Sequence, residues 1–146
     1  MARFLNNTDY TALIRNEIKN ILLENYEGKL LIAEKMAIAQ LKNHLAKRYD
    51  TDQIFTGYDE MPDPDPRDYY IIMITIDCTL YHLYTAEAPD RMPQHRSDRY
   101  ADALTWLKDI RRGDATADLP LKLDNAGVTK MPITIKSKYP PQNHKY

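Results

Sequence analysis

Cysteine is nearly missing from this chain of 146 residues. Cys78 stands alone, which excludes an internal disulfide and fits a reducing compartment. Cys78 lies in an apolar run, so an inert buried thiol is expected rather than a nucleophile. Glycine is also scarce, with four residues and no cluster, so the chain has no glycine-rich phosphate loop. There is no HExxH, no CxxC and no G-x-S-x-G. No apolar run reaches the ~18 residues that a bilayer span needs. The stretch "MARFLNNTDY" turns polar after five residues and is not expected to be a signal peptide. An excess of charge of one sign is lacking as well. The formal net charge is −1, so no overall positive field exists to hold a polyanion.

Candidate chemistry is correspondingly sparse. His44, His82, His95 and His144 are isolated. His82 follows Asp77 by five residues, not the three or four that share a helix face. His95 and Arg96 beside Asp98 read as a solvated loop. Asp63, Asp65 and Asp68 lack the glycine and distal glutamate of a calcium loop. No catalytic, cofactor-binding or metal-ligating residue is therefore assigned, and the chain is not expected to be an enzyme.

What the sequence does have is helical periodicity. Its length fits one domain with a substantial core. Eleven tyrosines against two phenylalanines point to surfaces apolar on one side and wet on the other, or to buried hydroxyls with local partners. Four helices are predicted. The first covers about 9–23, capped by Thr8, with Tyr10, Leu13, Ile14, Ile18, Ile21 and Leu22 on one face. The second covers about 29–49, with a stripe of Leu30, Ala33, Ala37, Leu41 and Leu45, and with Lys42, Lys47 and Arg48 at its negative end. After it, "FTGYDEMPDPDPRD" carries three alternate prolines and reads as an exposed loop.

The third stretch, "RDYYIIMITIDCTLYHLYTAE" at 67–87, is ambiguous. Its β-branched and aromatic residues favour a strand. Its apolar length and the row Ile72, Ile76, Leu80, Leu83 and Tyr84 favour a central helix starting after Asp68. The fourth helix follows "APDRMPQHRSD", with Ser97 or Asp98 as its cap. It buries Tyr100, Ala103, Leu104, Leu107 and Ile110, sets Trp106 at the rim and closes on Gly113.

The last 33 residues, 114–146, differ. Short alternations, "LPLKL" and "MPITIKSKY", flank the turn signal "DNAG". Five lysines face three aspartates, and four prolines oppose regular pairing. So long an irregular segment reads as a floppy terminus or a functional arm. As an arm, it offers Leu121, Leu123, Met131, Ile133, Ile135 and Tyr139 to a partner, with Ile133 and Ile135 able to add a strand to a sheet edge. The fold class expected is all-α: a small four-helix bundle-like domain over 1–113 and a long extended C-terminal arm over 114–146.

Three pieces carry a family likeness. They are "LIAEKMAIAQLKNHLAKRYD", "YYIIMITIDCTLYHLY" and "DRMPQHRSDRYADALTWLKDIRRGD". In this order they resemble the tailed-phage head–tail connector, head-completion or neck proteins, and especially the family of Mu-like prophages. The matching positions are the pairs Arg48–Tyr49 and Arg99–Tyr100, with Pro93, Ala103, Trp106, Leu107 and Gly113. The likeness spans about 30–119. It implies structural roles for those residues, no cofactor and no membrane.

The likeness also implies a homo-oligomeric ring, a dodecamer of about twelve copies, in the virion neck. Such a ring would sit beneath the portal protein, contact tail or further neck proteins, and let DNA pass without sequence-specific binding. Two other classes remain open on the residues alone. One is a small non-viral adaptor or regulatory protein that binds through the C-terminal arm. The other is a hydrolase using Asp or His.

Overall fold

Asp68 fixes the start of the central helix. Its backbone is extended (φ −76°, ψ 122°) and its carboxylate accepts the Ile71 N–H at 2.9 Å, which satisfies a donor that no helical turn reaches. From there the chain is helical over Tyr69–Glu87. The β-branched run does not become a strand. Every residue from Ile74 to Leu80 is buried, so the segment is enclosed on all sides, and packing overrides local propensity. Its hydroxyls are satisfied within the helix: Thr75 donates to the Ile71 carbonyl at 2.6 Å and Thr79 to the Thr75 carbonyl at 2.7 Å.

The computed structural model describes residues 2–11, 14 and 27–123. These residues form an all-α fold. Its helices are α1 (Asn7–Thr11), α2 (Glu27–Leu45), α3 (Thr51–Ile54), α4 (Tyr69–Glu87) and α5 (Gln94–Arg112), with a 3-10 turn at Pro89–Arg91 between the last two. Among the described residues there is no strand, only two isolated antiparallel bridges. Three helices of equal length, α2, α4 and α5, make the bundle.

The buried stripe of α2 (Leu30, Ala33, Ala37, Leu41 and Leu45) is the predicted one. Ala33 and Ala37 let its backbone approach α4 closely. The Lys29–Glu87 pair at 2.8 Å joins the start of α2 to the end of α4, so these two helices are antiparallel. Helix α5 also runs against α4. Its Arg99 reaches Asp77 and its Trp106 reaches Tyr70.

Three boundaries differ from the sequence reading. Thr8 is not a cap. Asn6 and Asp9 form a reciprocal capping box, with Asp9 N–H to Asn6 Oδ1 at 3.0 Å and Asn6 N–H to Asp9 Oδ2 at 2.8 Å, so α1 starts at Asn7. Most of the predicted first helix lies outside the described residues. Helix α2 ends at Leu45, four residues early, because Tyr49 leaves the helix to pair with Leu121. Neither Ser97 nor Asp98 caps α5. That helix begins at Gln94 directly after Pro93 (φ −62°, ψ 144°), and Asp98 instead accepts from the Gln94 amide at 3.0 Å.

The proline-rich stretch is only partly an exposed loop. Asp50 caps α3 through the Gln53 N–H, and Ile54, Phe55 and Arg67 are buried. Phe55 meets Phe4 edge-on at 5.1 Å. Gly57 leaves room for the backbone at Ala2 and Arg3, which a Cβ would approach to 3.0 Å. Arg67 closes the strap. It donates to both oxygens of Asp9 (2.7 and 3.0 Å), to Asp65 (2.7 Å) and to the Phe4 carbonyl (2.6 Å). Asp65 is held below the usual carboxylate range, chiefly by its hydrogen bonds with Arg67. Close by, the buried Glu34 accepts from Arg3 and from the Tyr10 hydroxyl. Burial, with Glu34 beside it, pushes the Tyr10 phenol far up.

Removing Arg67 leaves two carboxylates and a carbonyl without their donor. Arg67→Ala is expected to lower unfolding free energy by about 3 kcal/mol, measured as a drop in the urea midpoint at unchanged slope. Because the Asp65 pKa is depressed on folding, its contribution is complete above the unfolded value of 3.8 and is lost as pH falls below it. The gap between wild type and Arg67→Ala should therefore narrow on acidification below that value.

Candidate interaction surface

One end of the bundle collects Arg48, Tyr49, Trp106 and Gly113. The C-terminal end of α2, the N-terminal end of α4 and the C-terminal end of α5 meet there. Helix α5 stops in a Schellman motif: Gly113 at φ 85° donates to the Ile110 carbonyl at 3.1 Å, and Asp114 to the Asp109 carbonyl at 2.9 Å. The glycine is doubly required. Its φ is left-handed, and a Cβ would lie 3.2 Å from the Arg48 guanidinium. Thus the Arg of one motif pair and the helix-ending Gly of another piece are spatial neighbours, 65 positions apart in sequence.

Beyond Gly113 the chain turns back over the helices. Ala117 N–H donates to the Tyr49 hydroxyl at 2.9 Å. Asp50 N–H donates to the Pro120 carbonyl and Lys122 N–H to the Arg48 carbonyl, each at 2.9 Å. Leu119 is buried. So residues 114–123, the first part of the predicted arm, pack on the bundle. Of the arm residues assigned to a partner, Leu121 is half-buried against its own chain as the bridge partner of Tyr49, and Leu123 is 56% exposed. Met131, Ile133, Ile135 and Tyr139 lie outside the described residues.

Between α4, α5 and this returning segment runs a groove of about 350 Å³. Tyr70 and Trp106 meet edge-on inside it, with ring centroids 5.0 Å apart and planes at 69°. Ile71 and Leu119 supply its apolar floor, and Asp68 and Asp118 its polar rim. Tyr70 is 45% exposed and its neighbour Tyr69 is 70% exposed. Large aromatics left open beside a concavity are the composition of a recognition surface.

The second Arg–Tyr pair works elsewhere. Arg99 grips Asp77 with two hydrogen bonds, at 2.7 and 2.9 Å, and Arg96 lies 3.7 Å from the same carboxylate. Asp77 is buried in the apolar helix α4, so it needs these cations. The hydrogen bond with Asp77 raises the Arg99 pKa, whereas burial lowers that of Arg96. Tyr100 stacks on Tyr81, with centroids 3.8 Å apart and planes 2° from parallel, and accepts from the Gln40 amide at 3.0 Å. His82 Nε2 meets the side-chain Oε1 of Gln40 at 2.9 Å. Ala103 and Leu107 are core. Asp77 and His82 thus turn to different partners, in keeping with their spacing. Burial raises the Cys78 thiol to about 12.

Sequence reasoning missed Tyr70, Gln40 and Arg67. A carboxylate inside an apolar run was the available signal for the Asp77 ion pair, because a buried charge demands a partner. Nothing local marked Gln40 or Arg67. Among the described residues no group of three His, Cys, Asp or Glu side chains could hold a metal ion, and no helix is long and apolar enough to cross a membrane. Comparison with family models, with curated proteins and with solved structures gives no match.

Two outcomes test this geometry. Tyr49→Phe removes the acceptor of the Ala117 N–H. It should cost about 1 kcal/mol and speed amide exchange at Ala117 while leaving the α4 amides protected. Burial lowers the His82 pKa from 6.5. Its neutral form is the folded one, so its contribution is complete above 6.5 and declines as pH falls toward the folded pKa. Between pH 7.5 and 5.5, wild type should lose more stability to urea than His82→Gln does.

Proposed function

We propose that this protein is a structural head–tail connector subunit of a tailed phage of the Mu-like kind. Copies would close into a ring of about twelve beneath the portal, extend the DNA channel and give tail or further neck proteins a docking surface. The observation that carries the reading is the job done by each motif position. Arg48, Tyr49 and Gly113 tie the returning segment to one end of the bundle, with Trp106 beside them. Arg99, Tyr100, Ala103 and Leu107 lock α5 on α4. A pattern scattered over three pieces of sequence thereby has one purpose, which is to hold three helices and a chain end in fixed relation.

The rest of the chemistry is consistent with scaffolding. The buried ionisable groups Asp77, Arg67, Glu34 and Arg96 are engaged in ion pairs and hydrogen bonds with other parts of the fold. A cyclic ring needs two different faces on each subunit, and a three-helix bundle that exposes Ile32 and Met36 on α2 and Tyr69 and Tyr70 on α4 has distinct faces to supply them. A formal net charge of −1 suits a lumen through which DNA slides without sticking.

The test is assembly. Purified protein should be mixed with the portal protein of the same virus and examined by mass photometry and electron microscopy. A ring coaxial with the portal, of about twelve subunits, is the expected result. A monomer that binds one partner molecule only through residues 124–146 would overturn the proposal in favour of an adaptor. Failure to associate with the portal at all would also overturn it.

A further inference from the structure

We infer that copies of this chain dock head to tail, the acidic aromatic patch of Tyr69 and Tyr70 on one copy against the basic aliphatic face of Ile32 and Met36 on the next. The inference rests on the ring reading and names the two faces through which such a ring closes. Its first support is where apolar surface stays open. Among the described residues, the large hydrophobic side chains left exposed are Ile32, Met36, Tyr69, Tyr70 and Leu123. All but Leu123 fall into two compact pairs. Ile32 and Met36 are four positions apart on α2, so they stand one above the other on one helix face. Lys35, Ala39 and Asn43 are exposed along the same side. Tyr69 and Tyr70 open α4. Aromatic and Met side chains are the ones that subunit contacts bury.

Charge is the second support. The stretch 59–68, which leads into Tyr69, holds Asp59, Glu60, Asp63, Asp65 and Asp68. Its one cation, Arg67, is buried and engaged by Asp9, Asp65 and the Phe4 carbonyl. Asp118 stands in the hollow beside Tyr70. Along α2 the balance reverses. Between residues 28 and 48 the one acid is Glu34, and it is buried, holding Arg3 and Tyr10. Lys35, next to Met36, and Lys47 farther along are exposed. A formal net charge of −1 therefore conceals two patches of opposite sign. Unlike patches attract and set register, whereas like patches repel. A two-fold dimer that set either patch against itself would bring like charges together.

Placement is the third. The Lys29–Glu87 pair sets the start of α2 beside the end of α4, so Tyr69 lies toward the opposite end of the bundle from Ile32. The helical rise separates the two patches by roughly 20 Å along the bundle axis. One chain cannot bring its own two patches together. Each copy offers one patch to the neighbour ahead and the other to the neighbour behind, a heterologous contact that propagates until a ring closes.

Two full-length variants, each altered on one face, test this. One carries Ile32→Gln with Met36→Gln, the other Tyr69→Gln with Tyr70→Gln. All four positions are exposed, and circular dichroism with urea unfolding checks that both variants fold. Tyr69→Gln alone, which keeps the Tyr70–Trp106 contact, replaces the second variant if it does not. Wild type, followed by sedimentation velocity up to about 0.5 mM, should form species larger than a dimer. Each variant alone should self-associate about ten-fold more weakly. An equimolar mixture of the two should form 1:1 pairs and stop there, because the pair retains one intact patch of each kind. Lys35→Glu should weaken wild-type association by about three-fold at low salt and by less at high salt.

A wild type that stays monomeric over that range would overturn the inference. So would a variant that associates as wild type does, a mixture that yields no 1:1 pairs, or a symmetric dimer kept by one variant and lost in the other. The measurement uses the protein without portal. Head-to-tail oligomers that ignore the portal would sink the connector reading and leave this contact standing, and a ring on the portal built from either variant alone would do the reverse.

Discussion

A helix whose middle, from Ile74 to Leu80, is enclosed on every side is the constraint from which the rest of this structure follows. Helix α4 buries Ile71, Ile72, Ile74, Ile76, Leu80 and Leu83 together with Thr75, Asp77 and Thr79. Its apolar residues can leave water only if helices flank it, and α2 and α5 do so. Its polar residues can stay inside only if each finds a partner. The threonines use the helix's own carbonyls. Asp77 cannot, and it draws Arg99 and Arg96 from α5. The same carboxylate that costs solvation therefore fixes the rotation of α5 against α4.

The segments that flank the helices are tied to them in two different ways. Near the N-terminal segment, Arg67 ties α1 and Phe4 to the proline-rich strap, and Glu34 ties Arg3 and Tyr10 to α2. Near the C-terminal end of α5, backbone hydrogen bonds do most of the joining, between residues 48–50 and 117–122. The first arrangement relies on desolvated charge. The second leaves aromatic surface open around Tyr70 and Trp106.

Much of this was legible in the sequence. The all-α class, the stripe of α2, the start of α4 at Asp68 and the closing Gly113 all follow from periodicity and capping chemistry, because those signals are local. The strand-like run of α4 was resolved by its length rather than its propensity, and burial on all sides is the physical reason. What failed was local competition at the boundaries. Asn6 outcompetes Thr8 because Asp9 can answer it, and Pro93 starts α5 before Ser97 can cap it. The strap at 50–67 was misjudged because its value lies in Arg67, whose partners are 58 and two residues away. The candidate site was the least legible. Trp106 was set at a rim, but the groove needs Tyr70 and Leu119 from other elements, and no sequence window contains all three.

The most direct measurement is native-state hydrogen exchange over α4 at increasing low denaturant. If neighbours on all sides enclose this helix, amides from Ile74 to Leu80 exchange only through global unfolding, with the full denaturant slope and the highest free energy in the chain. Exchange of those amides through a local opening, with a small slope and a free energy below that of α5, would contradict the account.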